Sequence, residues 1–116
     1  MSHLKFYVKE QDMFKEAYGI KVSDSEAKKI VRKLLRHFGS SEKAESVNVR
    51  FYGNRQTGNY SAYGIRLSHN PSVGIICHEV AHSFHWGHDK KLMRWIGKLN
   101  RYCKKKEYWK NGKNIR

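Results

Sequence analysis

His78-Glu79-Val80-Ala81-His82-Ser83-Phe84-His85-Trp86-Gly87-His88-Asp89 is the stretch of this chain whose residue types and spacing can do chemistry. On an α-helix, side chains four residues apart stand about 40° apart around the axis and one turn apart along it, so His78 and His82 can reach a single ion. Glu79 then lies beside the ion without ligating it. A general base stands there to take a proton from water, whose pKa falls to about 7 on Zn²⁺. A third protein ligand leaves the fourth position of a tetrahedral ion open. Gly87 reads as a helix stop, and a chain turning there carries His88 back towards the ion. His85 competes for the same role because it shares the His78/His82 face. On a straight helix it stands a further turn away, out of reach unless the helix distorts. The alternative to a metal site is a solvated, histidine-rich helix edge. A random ordering of this composition yields HExxH about two times in a hundred, so the flanking elements carry the rest of the argument.

Those elements favour a helix. Asn70-Pro71 predicts its start, with Asn as N-cap and Pro in the first turn. Val73, Ile76, Cys77, Val80, Ala81 and Phe84 recur at helical spacing and give an apolar stripe, with the His78/His82 edge beside it. Upstream, Val47, Val49 and Phe51 alternate with Asn48, Arg50 and Tyr52, the period of a half-buried strand. Residues 53–58 read as a turn, and residues 59–68, with Tyr60, Ala62, Ile65 and Leu67, as one or two strands around Gly64. Tyr60, Tyr63 and His69 could serve as oxyanion or supporting groups, but strand tyrosines are far more often packing, and none is chosen.

HEVAHSFHWGHD resembles the HExxHxxxxxH(D) pattern of the small SprT-like and Wss-like (WLM) zinc metalloproteases, to which Spartan is related. The strands before the helix resemble those proteases less specifically, and the likeness covers roughly residues 46–100. It implies His78, His82 and His88 as zinc ligands and Glu79 as catalytic base. Asp89 follows the third histidine as in the Wss-like pattern, where SprT proteins usually have Gly. A metzincin assignment fails, because His85 stands where its glycine belongs and Met93 falls inside a helical pattern. The implied fold is α+β, a minimal zincin-like domain over residues 1–103. In it a small strand region is packed by helices that include the HExxH helix, and a basic tail follows over 104–116.

At 116 residues the chain is long enough for one modest core. Its 39% hydrophobic content suits a folded protein more than a disordered one. Lys and Arg number 24 against 10 Asp and Glu, a net charge of +14, which makes a polyanion the natural partner. Cys77 and Cys103, too few for a disulfide framework, fall on apolar stripes and read as small core residues. The first residues hold no long apolar run, so no membrane partner is expected and an intracellular location is.

Elsewhere, residues 4–8 are a short apolar run of open type. Residues 10–18 can form a helix with Met13 and Ala17 inward. Ser23 to Glu26 forms a capping box that opens a helix with Ala27, Ile30, Val31, Leu34, Leu35 and Phe38 inward, closed by Gly39. Its outer face carries Lys28, Lys29, Arg32, Lys33 and Arg36. Asp89 can cap a last helix whose inner face is Leu92, Met93, Ile96, Leu99 and Cys103. From Lys90 onward the only acid is Glu107, and Tyr108 and Trp109 interleave with Lys104, Lys105, Lys106 and Lys110. That mixture suits phosphates and unpaired bases.

Two functional classes follow. The first is a small zinc endopeptidase acting on proteins associated with or crosslinked to DNA. The second is a basic nucleic-acid-binding module whose zinc is structural or vestigial, with His85 closing the fourth position. A metallohydrolase acting on a non-peptide bond shares the chemistry of the first.

Overall fold

The structure is a computed structural model that describes residues 3–61 and 64–106. The expectations for Ala62, Tyr63, Glu107, Tyr108, Trp109 and Lys110 lie outside these residues. The described residues form an α+β domain of six helices and one mixed three-stranded sheet.

Its centre is α5, Val73–Ala81, in which every residue is buried. The sequence predicts an apolar stripe with the His78/His82 edge beside it. Instead the helix is apolar nearly all round and carries its polar residues into the interior, the pattern of a central core helix. Helix α3, Asp24–Phe38, and α6, Lys90–Lys105, pack on it through Ile30, Val31, Leu34 and Leu35, and through Leu92, Ile96, Leu99 and Cys103. Ser23 caps α3 by accepting from the Glu26 amide, and Asp89 caps α6 by accepting from the amides of Lys91 and Leu92. Cys77 and Cys103 meet inside this packing with sulfurs 3.8 Å apart, both as buried free thiols.

Two boundaries of α5 depart from expectation. Ser72 is the N-cap, its hydroxyl accepting from the Ile75 amide. Asn70 takes a left-handed φ of 49°, while the Pro71 carbonyl accepts from Val22; these residues build a turn before the helix. At the other end regular helix stops at Ala81, well before Gly87, though the His82 amide still donates to the His78 carbonyl. A short helix not foreseen from sequence, α4, Ser41–Ser46, sits beside that end. Its Lys43 ammonium donates to the Ser83 carbonyl at 3.0 Å, satisfying a backbone group past the helix terminus.

Strands β1, Val49–Phe51, β2, Gly58–Ser61, and β3, Gly64–Leu67, lie in the order β1-β3-β2. β1 runs parallel to β3 and β2 antiparallel to it. β2 is therefore an edge strand, and it lies against α5. The Ser68 amide donates to Thr57 O at 3.0 Å. Because bonded pairs alternate along an antiparallel ladder, the amides and carbonyls of Gly58 and Tyr60 turn to the open side.

The start of the chain also differs from expectation. Residues 4–8 belong to α1, His3–Met13, and α2, Lys15–Tyr18, follows. Ala17 is buried as expected, but Met13 faces outward at 54% exposure because Phe6 and Glu10 are the residues turned inward. No helix among the described residues is long and apolar enough to cross a membrane.

Candidate metal centre

Three histidines converge where α5 ends. His82 Nε2 lies 3.2 Å from His78 Nε2 and 3.2 Å from His88 Nε2, and the three ligand atoms all lie within 4.8 Å of one another. At a Zn–N distance of about 2.05 Å, two ligands on a tetrahedral ion stand roughly 3.3 Å apart. The cluster therefore has the span of one ion. Its hydrogen bonds fix the tautomers. A carboxylate can only accept, so His78 Nδ1 donates to Glu10 Oε1 at 2.7 Å. A carbonyl can only accept, so His82 Nδ1 donates to His85 O at 3.2 Å. In the neutral rings both Nε2 atoms then present lone pairs towards each other, the arrangement in which a cation could be held between them.

His85 does not join the cluster. Its Nε2 turns to Asp89, 2.7 and 2.9 Å from the two carboxylate oxygens, and it contributes only its carbonyl to His82. The hydrogen bond from the His85 ring, with those from the Leu92 and Lys91 amides, holds the Asp89 carboxyl below its ordinary range. The chain bends between His82 and His88 through bonds from Ser83 to Val80 and from Phe84 and His85 to Ala81, which is how the third imidazole comes back.

The other wall of the site is α1, which the sequence reading left without a role. Phe6 sets its ring edge-on to His78 and His88, with centroids 6.1 and 5.2 Å away. Tyr7 stacks on His78 at 5.0 Å, and its hydroxyl is 3.3 Å from His78 Nε2. Glu10 is fully buried, shared between His78 and the Tyr18 hydroxyl, which donates to Glu10 Oε2. The Tyr18 ring gains its place by lying on Gly74, where a Cβ would come within 2.6 Å of it. One signal for Glu10 was present. It interrupts the inward row Phe6, Glu10, Phe14 at i, i+4, i+8, and a carboxylate in such a row asks for a buried partner.

A carboxylate that orients a metal-binding imidazole typically accounts for 10–100-fold in metal affinity. Glu10→Gln is expected to weaken Zn²⁺ binding by about that range, read by competition with a chromogenic chelator. Unchanged affinity would mean that Glu10 serves packing alone.

Glu79 is buried, and it lines with His78, Tyr7, Gly58 and Thr57 a cleft of about 310 Å³. Gly58 of the edge strand touches it so closely that a Cβ there would come within 2.7 Å of Glu79 Cγ. Burial pushes the Glu79 carboxyl up to about 7, with His78 opposing the rise and Glu10 adding to it. A cation held by the three histidines would act in the same direction as His78 and favour the carboxylate. Tyr60, on the same strand, stacks over His82 at 6.5 Å and meets Trp86 edge-on at 5.2 Å. His69 is elsewhere, 2.7 Å from Asp24 on the surface.

No protein-family model, no curated protein and no solved structure matches this chain. The SprT-like and Wss-like expectation therefore rests on the motif residues alone. What the fold adds is a buried cluster of His78, His82 and His88 that can hold a metal ion.

Proposed function

We propose that the chain is a small zinc-dependent endopeptidase of SprT/Wss-like type that acts on proteins associated with or crosslinked to DNA. The observation that carries this reading is that Glu79 and His78 line one cleft with Gly58 of an open edge strand. His78, His82 and His88 would hold a divalent ion, which when bound would supply Lewis acidity there, lowering the pKa of water to about 7 and polarising a carbonyl. The chain's own residues supply the rest. An extended peptide pairs with the outward amides and carbonyls of Gly58 and Tyr60, which sets its backbone along the cleft. The Glu79 carboxylate takes the proton from the attacking water and returns it to the leaving amine nitrogen. The Tyr7 hydroxyl, an O–H donor at the cleft wall, stands where it can donate to the carbonyl oxygen as charge develops. Burial of His78 and His82 against α5, Phe6 and Glu10 keeps bulk water from most of those two rings, while His88 is half-buried.

The net charge of +14 supports recruitment to nucleic acid. Among the described residues, Lys104, Lys105 and Lys106 continue the basic face at the end of α6.

The test is cleavage of an unstructured protein, free or bound to DNA, by the Zn²⁺-loaded and chelator-treated chain. The expected result is metal-dependent cleavage, faster on the DNA-bound substrate and losing that advantage as salt rises. Metal binding without cleavage of any protein substrate would overturn the reading in favour of a nucleic-acid-binding module with a structural ion.

A further inference from the structure

A cavity larger than the metal cleft lies elsewhere on the described surface. It is an open groove of about 590 Å³ between α1 and α6, on the far side of Phe6 from the histidine cluster. Its floor is apolar, made by Met13, Phe14 and Met93 over the buried Phe6, with Gly97 leaving the bottom open. A Cβ at Gly97 would meet only Arg101 Nη1 at 3.3 Å and Phe14 at 3.7 Å. A glycine inside a helix costs about 1 kcal/mol against alanine, so the open floor is retained against helix propensity.

The rim is cationic. Lys90, Arg94, Lys98 and Arg101 follow one another at i, i+4, i+8 and i+11 along α6, a row about 16 Å long. Lys9 faces them from α1. All five are exposed and none forms an ion pair with a described residue, although Lys98 rests over the Trp95 ring. Asp89 is the one acid of the lining, and it is engaged with His85 and with the first amides of α6. Unpaired cations in a row repel one another, and an acidic occupant of matching length relieves that repulsion.

From this we propose that the α1/α6 groove docks an acidic amphipathic helix of a partner protein. The apolar stripe of that helix sits on the methionine and phenylalanine floor, and its flanking carboxylates meet the rim. Three features select this occupant. The row spans about three helical turns, the reach of an i, i+4, i+7, i+11 anchor set. Methionines, unbranched and polarizable, adapt to varied apolar anchors. Stacked bases need free ring faces, whereas Phe6 is fully buried and Phe14 half-buried. The surface is separate from the metal cleft, so its use stands or falls independently of the proposed hydrolysis.

The test uses the full chain and a fluorescent synthetic helix of about 16 residues, with leucines on one stripe and glutamates on both flanks. A scrambled peptide of the same composition and a single-stranded oligonucleotide of equal charge serve as competitors. The leucine-stripe helix is expected to bind about tenfold or more tightly than the scrambled peptide. Gly97→Leu, which fills the floor, and Arg94→Glu with Lys98→Glu, which reverses the rim, should each weaken it by a similar factor. Reversal of Lys28 and Arg32 on α3 should not. Because Gly97→Leu perturbs a helix interior, amide chemical-shift mapping on the unaltered chain gives a second readout, with changes expected at Lys9, Met13, Met93 and Gly97. Equal binding of the scrambled peptide, or shifts centred away from this groove, would overturn the proposal. So would an oligonucleotide that displaces the helix and is sensitive to rim reversal but not to Gly97→Leu, which would make the face a polyanion patch.

Discussion

Glu79→Gln is expected to lower peptide hydrolysis by about two to four orders of magnitude, the usual worth of a positioned general base, while zinc content stays at one ion per chain. Glutamine keeps the shape that fits against Gly58, where the contact is too close to accept a larger group. It removes the oxygen that accepts the proton. Buried as it is, Glu79 is also costly to ionise without a nearby cation, so the neutral amide should leave the metal-free fold no less stable. Activity and zinc stoichiometry measured on the same preparation separate the two effects. A variant that retains full activity removes Glu79 from the mechanism, whereas one that loses its zinc shows that the carboxylate serves the ion.

The second large effect concerns the ligands. His82 sits between the other two rings, 3.2 Å from each, and His82→Ala should weaken zinc binding by more than the 10–100-fold expected for a supporting partner. His88→Ala should do likewise. His85→Ala should leave metal content near normal, since its ring is held by Asp89 and only its backbone carbonyl serves His82. In the unaltered chain, zinc at about a thousand times its Kd should add roughly 4 kcal/mol of stability, a rise in Tm on the order of 15 °C for a domain of this size. Zinc titrations followed by thermal melts would show it. Zinc retained in His88→Ala and lost in His85→Ala would reverse the assignment of the third ligand.

The parts of this site that lie close together in the chain were legible in its sequence, and the parts that come from afar were not. Histidines at i and i+4 on an apolar segment specify their own geometry, and the caps Ser23 and Asp89 and the period of α3 and α6 are local signals of the same kind. Ser72 was missed as a cap because Asn70-Pro71 offered a stronger local pattern, which the left-handed φ of Asn70 spends on a turn instead. Glu10, Tyr7 and Tyr18 were missed for a different reason. Glu10 and Tyr7 matter because they meet His78 across a sequence separation of about seventy residues, and Tyr18 because it holds Glu10; α1 is too weakly patterned to say which face it buries. Gly58 read as the end of a turn because the need for a missing Cβ appears only once Glu79 is beside it.

The reach of α1 also bears on the order in which the chain is assembled. Glu10 leaves the ribosome long before His78, and for that interval it is a solvated carboxylate with no imidazole to hold. Loop closure over such a span is among the slower contacts of a small domain to form. The HExxH segment can therefore coil into a helix, and even capture an ion, while its wall is still open. The wall around the histidine cluster is complete only when α1 packs against α5.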